Sequence, residues 1–193
     1  KTGEGVAWGA GYWQYFENLD KITPGATPLH IEKKLFVEKN TPSGPVLEGI
    51  SYSPDSPARP SAQMLNVGDK IVVRVILSTD RNLEFVHLKD MRASALEPLA
   101  RTPTGNLGWG GSDGLSGYRY QDGLGYYQAT TDLATNFFFD YLPKGTYVFE
   151  YPLKVNAVGD FSNGITTVQC LYAPEFSAHS EGIRLNISGV EKP

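Results

Sequence analysis

Apolar and polar residues alternate with a period of two over most of the chain. In residues 29–39 (LHIEKKLFVEK) the apolar side chains Leu29, Ile31, Leu35 and Val37 fall on odd positions with charge mostly between them, the signature of a half-buried strand with an irregularity expected at Lys33. Residues 71–78 (IVVRVILS) form a nearly continuous β-branched run of the kind that fills the centre of a sandwich sheet. Residues 82–90 (NLEFVHLKD) follow, so Thr79-Asp80-Arg81-Asn82 predicts a hairpin between the two. A second tight hairpin is expected where Pro143-Lys144-Gly145 joins residues 136–142 (NFFFDYL) to 146–155 (TYVFEYPLKV). Residues 165–172 (ITTVQCLY) and 182–187 (GIRLNI) read as two more strands, with residues 173–181 as the connection.

Three stretches break this pattern. Residues 6–16 (VAWGAGYWQYF) hold Trp8, Tyr12, Trp13, Tyr15 and Phe16 between small residues, which predicts a strand with large rings on one face, Gly9 and Gly11 opposing a helix. Residues 40–62 carry Pro42, Pro45, Pro54, Pro57 and Pro60 around an apolar island at 46–50, so a long loop with at most one edge strand is expected. Residues 101–125 are dense in glycine yet contain Trp109, Tyr118 and Tyr120, which predicts a long, partly ordered surface loop. Eight to ten short strands without a 3.6-residue pattern make an all-β fold of two packed antiparallel sheets the simplest architecture.

Composition narrows the function more than the fold. The 193 residues are 40% hydrophobic, 12% aromatic and 20% charged, which describes a folded chain long enough to bury a core without staples. A net charge of −4 with no basic run argues against nucleic acid. One cysteine, Cys170, excludes an internal disulfide framework, and its apolar strand TTVQCLY suits a small buried hydrophobe better than a thiolate nucleophile. No window approaches ~20 apolar residues, and the N-terminus lacks the features of a signal peptide, so a mature form or an excised piece is expected.

Catalytic and metal motifs find little support. His30, His87 and His179 are isolated, without metal-ligand spacing, and His87 is better explained as a partly buried histidine bonded to the backbone. Gly114-Leu115-Ser116-Gly117 lacks the spacing of a nucleophile elbow, and the Gly105–Gly111 run has no following Lys-Ser or Lys-Thr to make a phosphate loop. Two of the 21 carboxylates converging as a glycosidase pair would leave no trace in sequence. Asn186-Ile187-Ser188 is a formal glycosylation sequon. What stands out is aromatic surface: Trp109, Tyr118, Tyr120, Tyr126 and Tyr127 lie in or beside the glycine-rich stretch, and amphipathic rings there are candidate contacts for a protein or sugar partner. The competing expectation is that the loop folds back and these rings cap the sandwich.

Residues 8–22 (WGAGYWQYFENLDKI), 65–98 (LNVGDKIVVRVILSTDRNLEFVHLKDMRASALEP) and 117–182, with its LPKGTY and LYAPEFSAHSEG blocks, together resemble the C-terminal end of bacterial alpha-2-macroglobulin-like proteins, particularly the long Bacteroides-type members. The resemblance implies that residues 29–193 form the last macroglobulin-type, immunoglobulin-like β-sandwich, the counterpart of a receptor-binding domain. It also implies that residues 1–28 are the tail of a preceding CUB-like, thioester-region segment. Relatives of this kind resemble envelope-anchored, periplasm-facing endopeptidase inhibitors that trap a protease after it cuts a bait region. The implied partners are other domains of the same full-length chain and, through the parent, proteases; the implied role is non-enzymatic, without a cofactor. This chain departs from that machinery, because Cys170 is followed by Leu171 and Tyr172 rather than by the Gly-Glu-Gln of a thioester. The likeness further implies a tyrosine shield for an upstream thioester, a role for which Tyr126 and Tyr127 are the candidates, although no exact motif carries it over. The alternative is a stand-alone cell-surface binding module for glycan or protein. An upstream reading frame that runs on favours the trap; a signal sequence just before Lys1 favours the module.

Overall fold

The computed structural model describes residues 5–6, 8–50, 65–99 and 114–189. Among these are fourteen strands: β1 (Leu29–Thr41), β2 (Gly44–Ile50), β3 (Leu65–Asn66), β4 (Lys70–Thr79), β5 (Leu83–Met91), β6 (Leu96–Pro98), β7 (Gly117–Gln121), β8 (Leu124–Thr130), β9 (Ala134–Leu142), β10 (Gly145–Val155), β11 (Gly159–Ser162), β12 (Thr166–Cys170), β13 (Ala173–His179) and β14 (Arg184–Ser188). A five-stranded sheet runs β2-β1-β4-β10-β6 and a six-stranded sheet runs β13-β12-β5-β9-β8-β7. A small third sheet, β11-β14-β3, contains a parallel pairing of β14 with β3. No helix among the described residues is long and apolar enough to cross a membrane.

Alternation builds the core directly. Along β4, Ile71, Val73, Val75 and Leu77 are buried, and they meet Leu88, Phe137, Phe139 and Val168 of the other sheet in one hydrophobic cluster. The two large sheets thus form an all-β sandwich.

Both expected hairpins are instead crossings between sheets. β4 pairs with β1 and β10, whereas β5 pairs with β9 and β12, so residues 80–82 carry the chain over the edge of the core. Residues 143–144 do the same between β9 and β10. The reason is that each of these strands has one apolar face, and facing strands across a core bury both sets at once. The crossings are tied together: the Asn82 side-chain oxygen accepts from the Lys144 backbone N–H at 2.8 Å.

Other expectations also change. Residues 8–18 form no strand; their rings are exposed, and they lead into a single 3-10 turn at Leu19–Lys21. Among the described residues no strand pairs with them, so ring alternation alone does not make a strand. Residues 173–179, read as a connection, are the edge strand β13, joined to β12 with a register shift at Gln169/Cys170. Within the glycine-rich stretch, residues 114–125 contain β7 and the start of β8, closed by Asp122 and Gly123 at φ 50° and 82°, the two positive values that a tight hairpin turn requires. The edge strand expected near residue 46 is β2, while residues 51–64 and 100–113, Trp109 among them, lie outside the described residues.

Lys33 introduces no irregularity. It stays in register opposite Val75 and points into the core. Its Nζ lies 2.6 Å from Asp90 Oδ1 with both side chains fully buried, and it also donates to the Met91 carbonyl at 2.6 Å. Asp90 further accepts from Thr166 Oγ1 at 2.6 Å and from the Tyr151 hydroxyl. Since Lys33 and Tyr151 belong to the five-stranded sheet and Asp90 and Thr166 to the six-stranded sheet, this cluster bolts the sheets together. Beside it, Arg92 donates to Thr135 Oγ1 at 3.0 Å and to the Thr131 carbonyl, and burial lowers its pKa.

Burial first, and then the charge of Asp90 and the hydrogen bond to it, raise the Tyr151 hydroxyl well above the ordinary tyrosine pKa. The folded state therefore keeps a proton that the unfolded chain releases near pH ~10, so this stabilisation is complete below that value and declines as pH rises above it. The expected slope is about 1.4 kcal/mol per pH unit. Urea midpoints measured from about pH 9 to 11 will show it, and Tyr151→Phe will flatten it.

Candidate functional site

The two outer faces of the sandwich are chemically unlike. On the five-stranded sheet, exposed charges pair with one another: Lys34 with Glu32 at 2.9 Å, Lys70 with Glu38 at 2.7 Å and Arg74 with Glu150, the Arg74 guanidinium lying 4.6 Å from the centre of the Phe36 ring. Such a surface is at ease in water, and its exposed pairs contribute little stability.

The six-stranded sheet presents an aromatic row instead. Tyr118 of β7 lies opposite Tyr127 of β8, Tyr127 opposite Phe138 of β9, Phe138 opposite His87 of β5, and His87 opposite Gln169 of β12. These are directly registered cross-strand partners, so their side chains share one face. Tyr118 meets Tyr127 edge to face at 5.0 Å, and Phe138 stacks flat on His87 at 4.6 Å. The His87 ring bonds the Asn136 side chain at 3.0 Å rather than the backbone partner expected from sequence. Tyr118 and Tyr120 are each 62% exposed, Phe138 38% and Tyr127 37%.

Of the candidate residues, Tyr118, Tyr120 and Tyr127 are brought together on this face. Tyr126 is not among them. It is only 6% exposed, and its ring packs against Phe137, Phe139 and Phe149 inside the sandwich. Adjacent residues of one strand point to opposite faces, so a contact surface that contains Tyr127 excludes Tyr126. Phe138 and His87 complete the row and were missed as site residues. The run NFFFDYL reads as core, and only the pairing of β9 with β8 and β5 shows that its middle ring faces out.

The outer face of the six-stranded sheet is suited to contact. Its rings pair with one another and stand partly in solvent, which suits interdigitation with another protein surface. Among the described residues, no group of three His, Cys, Asp or Glu side chains gathers as a metal site. Cys170 is buried, with its thiol directed to the Glu84 carbonyl at 3.2 Å.

A family model described as the bacterial alpha-2-macroglobulin MG10 domain matches residues 29–175, well over half of the chain, and starts at the first residue of β1. The chain belongs to the bacterial alpha-2-macroglobulin MG10 domain family. Solved structures share the fold of this MG10 domain. Salmonella alpha-2-macroglobulin reacted with methylamine superposes with a TM-score of 0.57 at 18% identity, covering 86% of this chain and 10% of that one. The native conformation of Escherichia coli alpha-2-macroglobulin gives 0.58 at 16% identity over 92% of this chain and 10% of that one. An Escherichia coli structure spanning domain MG7 to the C-terminus gives 0.57 at 14% identity over 85% and 24%. The chain therefore spans about a tenth of the full-length molecules it resembles. No curated protein matches it.

Proposed function

We propose that this MG10 domain is the non-catalytic, C-terminal macroglobulin module of a Bacteroides-type alpha-2-macroglobulin-like endopeptidase inhibitor. The outer face of its six-stranded sheet is the surface that packs on other domains of the same parent. The observation that carries this reading is the contrast between the faces: one holds its charges in pairs, the other leaves Tyr118, Tyr120, Tyr127 and Phe138 partly exposed. Rings so placed are the usual buried anchors of protein contacts. The proteases acted upon would be partners of the parent; Escherichia coli alpha-2-macroglobulin has been solved activated by trypsin and by porcine elastase. Residues 1–28 would belong to the preceding CUB-like segment, and the parent would sit at the periplasmic face of the cell envelope under a lipid anchor.

Within this reading Tyr127, not Tyr126, shields an upstream thioester. Its ring stands on the outer face between Tyr118 and Phe138, where it can cover an acyl group carried by a neighbouring domain. In a full-length parent bearing Cys-Gly-Glu-Gln, Tyr127→Ala is expected to release free thiol several-fold faster in the absence of protease. An unchanged rate, with the domain still folded, would overturn the shielding role.

A further inference from the structure

The chain carries a second unpartnered aromatic surface. Trp8, Tyr12, Trp13, Tyr15 and Phe16 are all exposed, Trp13 at 87%, so one short segment leaves several large rings in water. Rings of this size each have roughly 150–250 Å² to bury, and contiguous apolar surface of that extent marks a contact.

The segment is tethered beside the aromatic row. Residues 22–27 are laced to the edge of the six-stranded sheet: Gly25 and His179 exchange backbone hydrogen bonds at 3.0 and 2.8 Å, the Gly182 N–H donates to the Ile22 carbonyl, and Thr27 Oγ1 donates to the Ser177 carbonyl. The fit at Gly25 is close, since a Cβ there would lie 2.4 Å from His179 Nε2. Just before this lacing, Tyr15 and Glu17 line a cleft of about 550 Å³ whose floor includes Thr167 and His179. Thr167 and His179 are registered partners, and Thr167 lies two residues from the outward Gln169 that faces His87. The cleft therefore opens onto the same outer face as the Phe138–His87 stack.

Distances favour closure across that face. From β12 to β9 are two strand spacings, about 10 Å. An extended chain covers about 7 Å in two residues and about 10 Å in three. Thr167 is registered with Lys89, and His87 lies two residues further along β5, so His87 and Phe138 are about 8 and 12 Å from Thr167; starting from Tyr15 beside Thr167, the Trp13 and Tyr12 side chains come within reach of them.

We propose that residues 8–16 dock across the β12, β5 and β9 side of this outer face, with Trp13 seated against Phe138 and the His87 ring. The docked segment leaves Tyr118, Tyr120 and the β7 edge uncovered. It rests on the lacing, the cleft and the reach, and it stands whether or not the parent carries a thioester.

The test uses the full 193-residue chain with Trp8→Phe and Trp109→Phe, which leaves Trp13 as the sole tryptophan. Docking predicts a blue-shifted Trp13 emission and acrylamide quenching several-fold weaker than for free indole, both independent of protein concentration. Phe138→Lys, at a partly exposed outward position, is expected to restore solvent-like emission with an unchanged far-ultraviolet spectrum. Tyr118→Ala, at the far edge, is expected to leave the protection intact. Quenching equal to that of free indole would overturn the proposal. So would protection that survives Phe138→Lys, or protection that appears only as concentration rises, which would mean docking between two copies.

Discussion

Asp90→Leu is expected to destabilise the domain by about 3–5 kcal/mol, a large share of the 5–15 kcal/mol that holds an ordinary domain together. The loss is not the worth of an ion pair as such. Lys33 Nζ lies 2.6 Å from Asp90 Oδ1 in a site closed to water, so removing the carboxylate leaves an ammonium group buried beside apolar strands. Replacing both partners tests that distinction. Lys33→Met together with Asp90→Leu is expected to recover much of the loss, because a well-packed apolar pair avoids the desolvation cost. Recovery will be incomplete, since Asp90 also accepts from Tyr151 and Thr166, and each hydroxyl left without an acceptor costs about 1–3 kcal/mol. Adding Tyr151→Phe is expected to return part of that remainder. Urea denaturation at neutral pH measures all four proteins, and a single-variant loss under about 1 kcal/mol would show that the cluster does not bolt the sheets.

Tyr126→Ala and Tyr127→Ala are neighbouring substitutions with opposite expected outcomes. Tyr126 packs among Phe137, Phe139 and Phe149 with centroids 5.3 to 5.8 Å away, so truncation opens a cavity between the sheets and is expected to cost about 3–5 kcal/mol. Tyr127 loses an edge contact with Tyr118 and a longer one with Phe138, about 1 kcal/mol or less. Thermal or urea unfolding of the two variants separates them directly. Equal losses would mean that the β8 register differs from the one described. The pair also sets how the parent must be probed: a Tyr126 variant reports on folding, and only a Tyr127 variant reports on the surface.

Much of the architecture is legible in the one-dimensional pattern. The strands of the core appear as period-two runs, because a side chain on a pleated strand alternates faces and half of them must leave water. The expected strands at 71–78, 82–90, 136–142 and 146–155 are β4, β5, β9 and β10 within a few residues. Pattern does not say which strand pairs with which. A short link such as Pro143-Lys144-Gly145 looks the same whether it closes a hairpin within a sheet or passes between sheets, and burial of both apolar faces across the core decides for the crossing.

The candidate site divides along the same line. Composition and spacing single out the aromatics near residues 118–127, and leave open whether they make a contact surface or cap the sandwich. They did not assign faces. Tyr126 and Tyr127 are chemically identical neighbours, and Phe137 and Phe138 likewise; only the pairing of β7, β8, β9 and β5 puts one of each pair in the core and the other in the outer row. Lys33 makes the same point for charge. In sequence it interrupts an apolar alternation, and in the fold it keeps that alternation, because an aspartate from the opposite sheet meets it at 2.6 Å. Period and composition are local properties and survive in the string of residues. Pairing, facing and the matching of a buried charge join residues far apart in the chain, and only the tertiary structure brings them together.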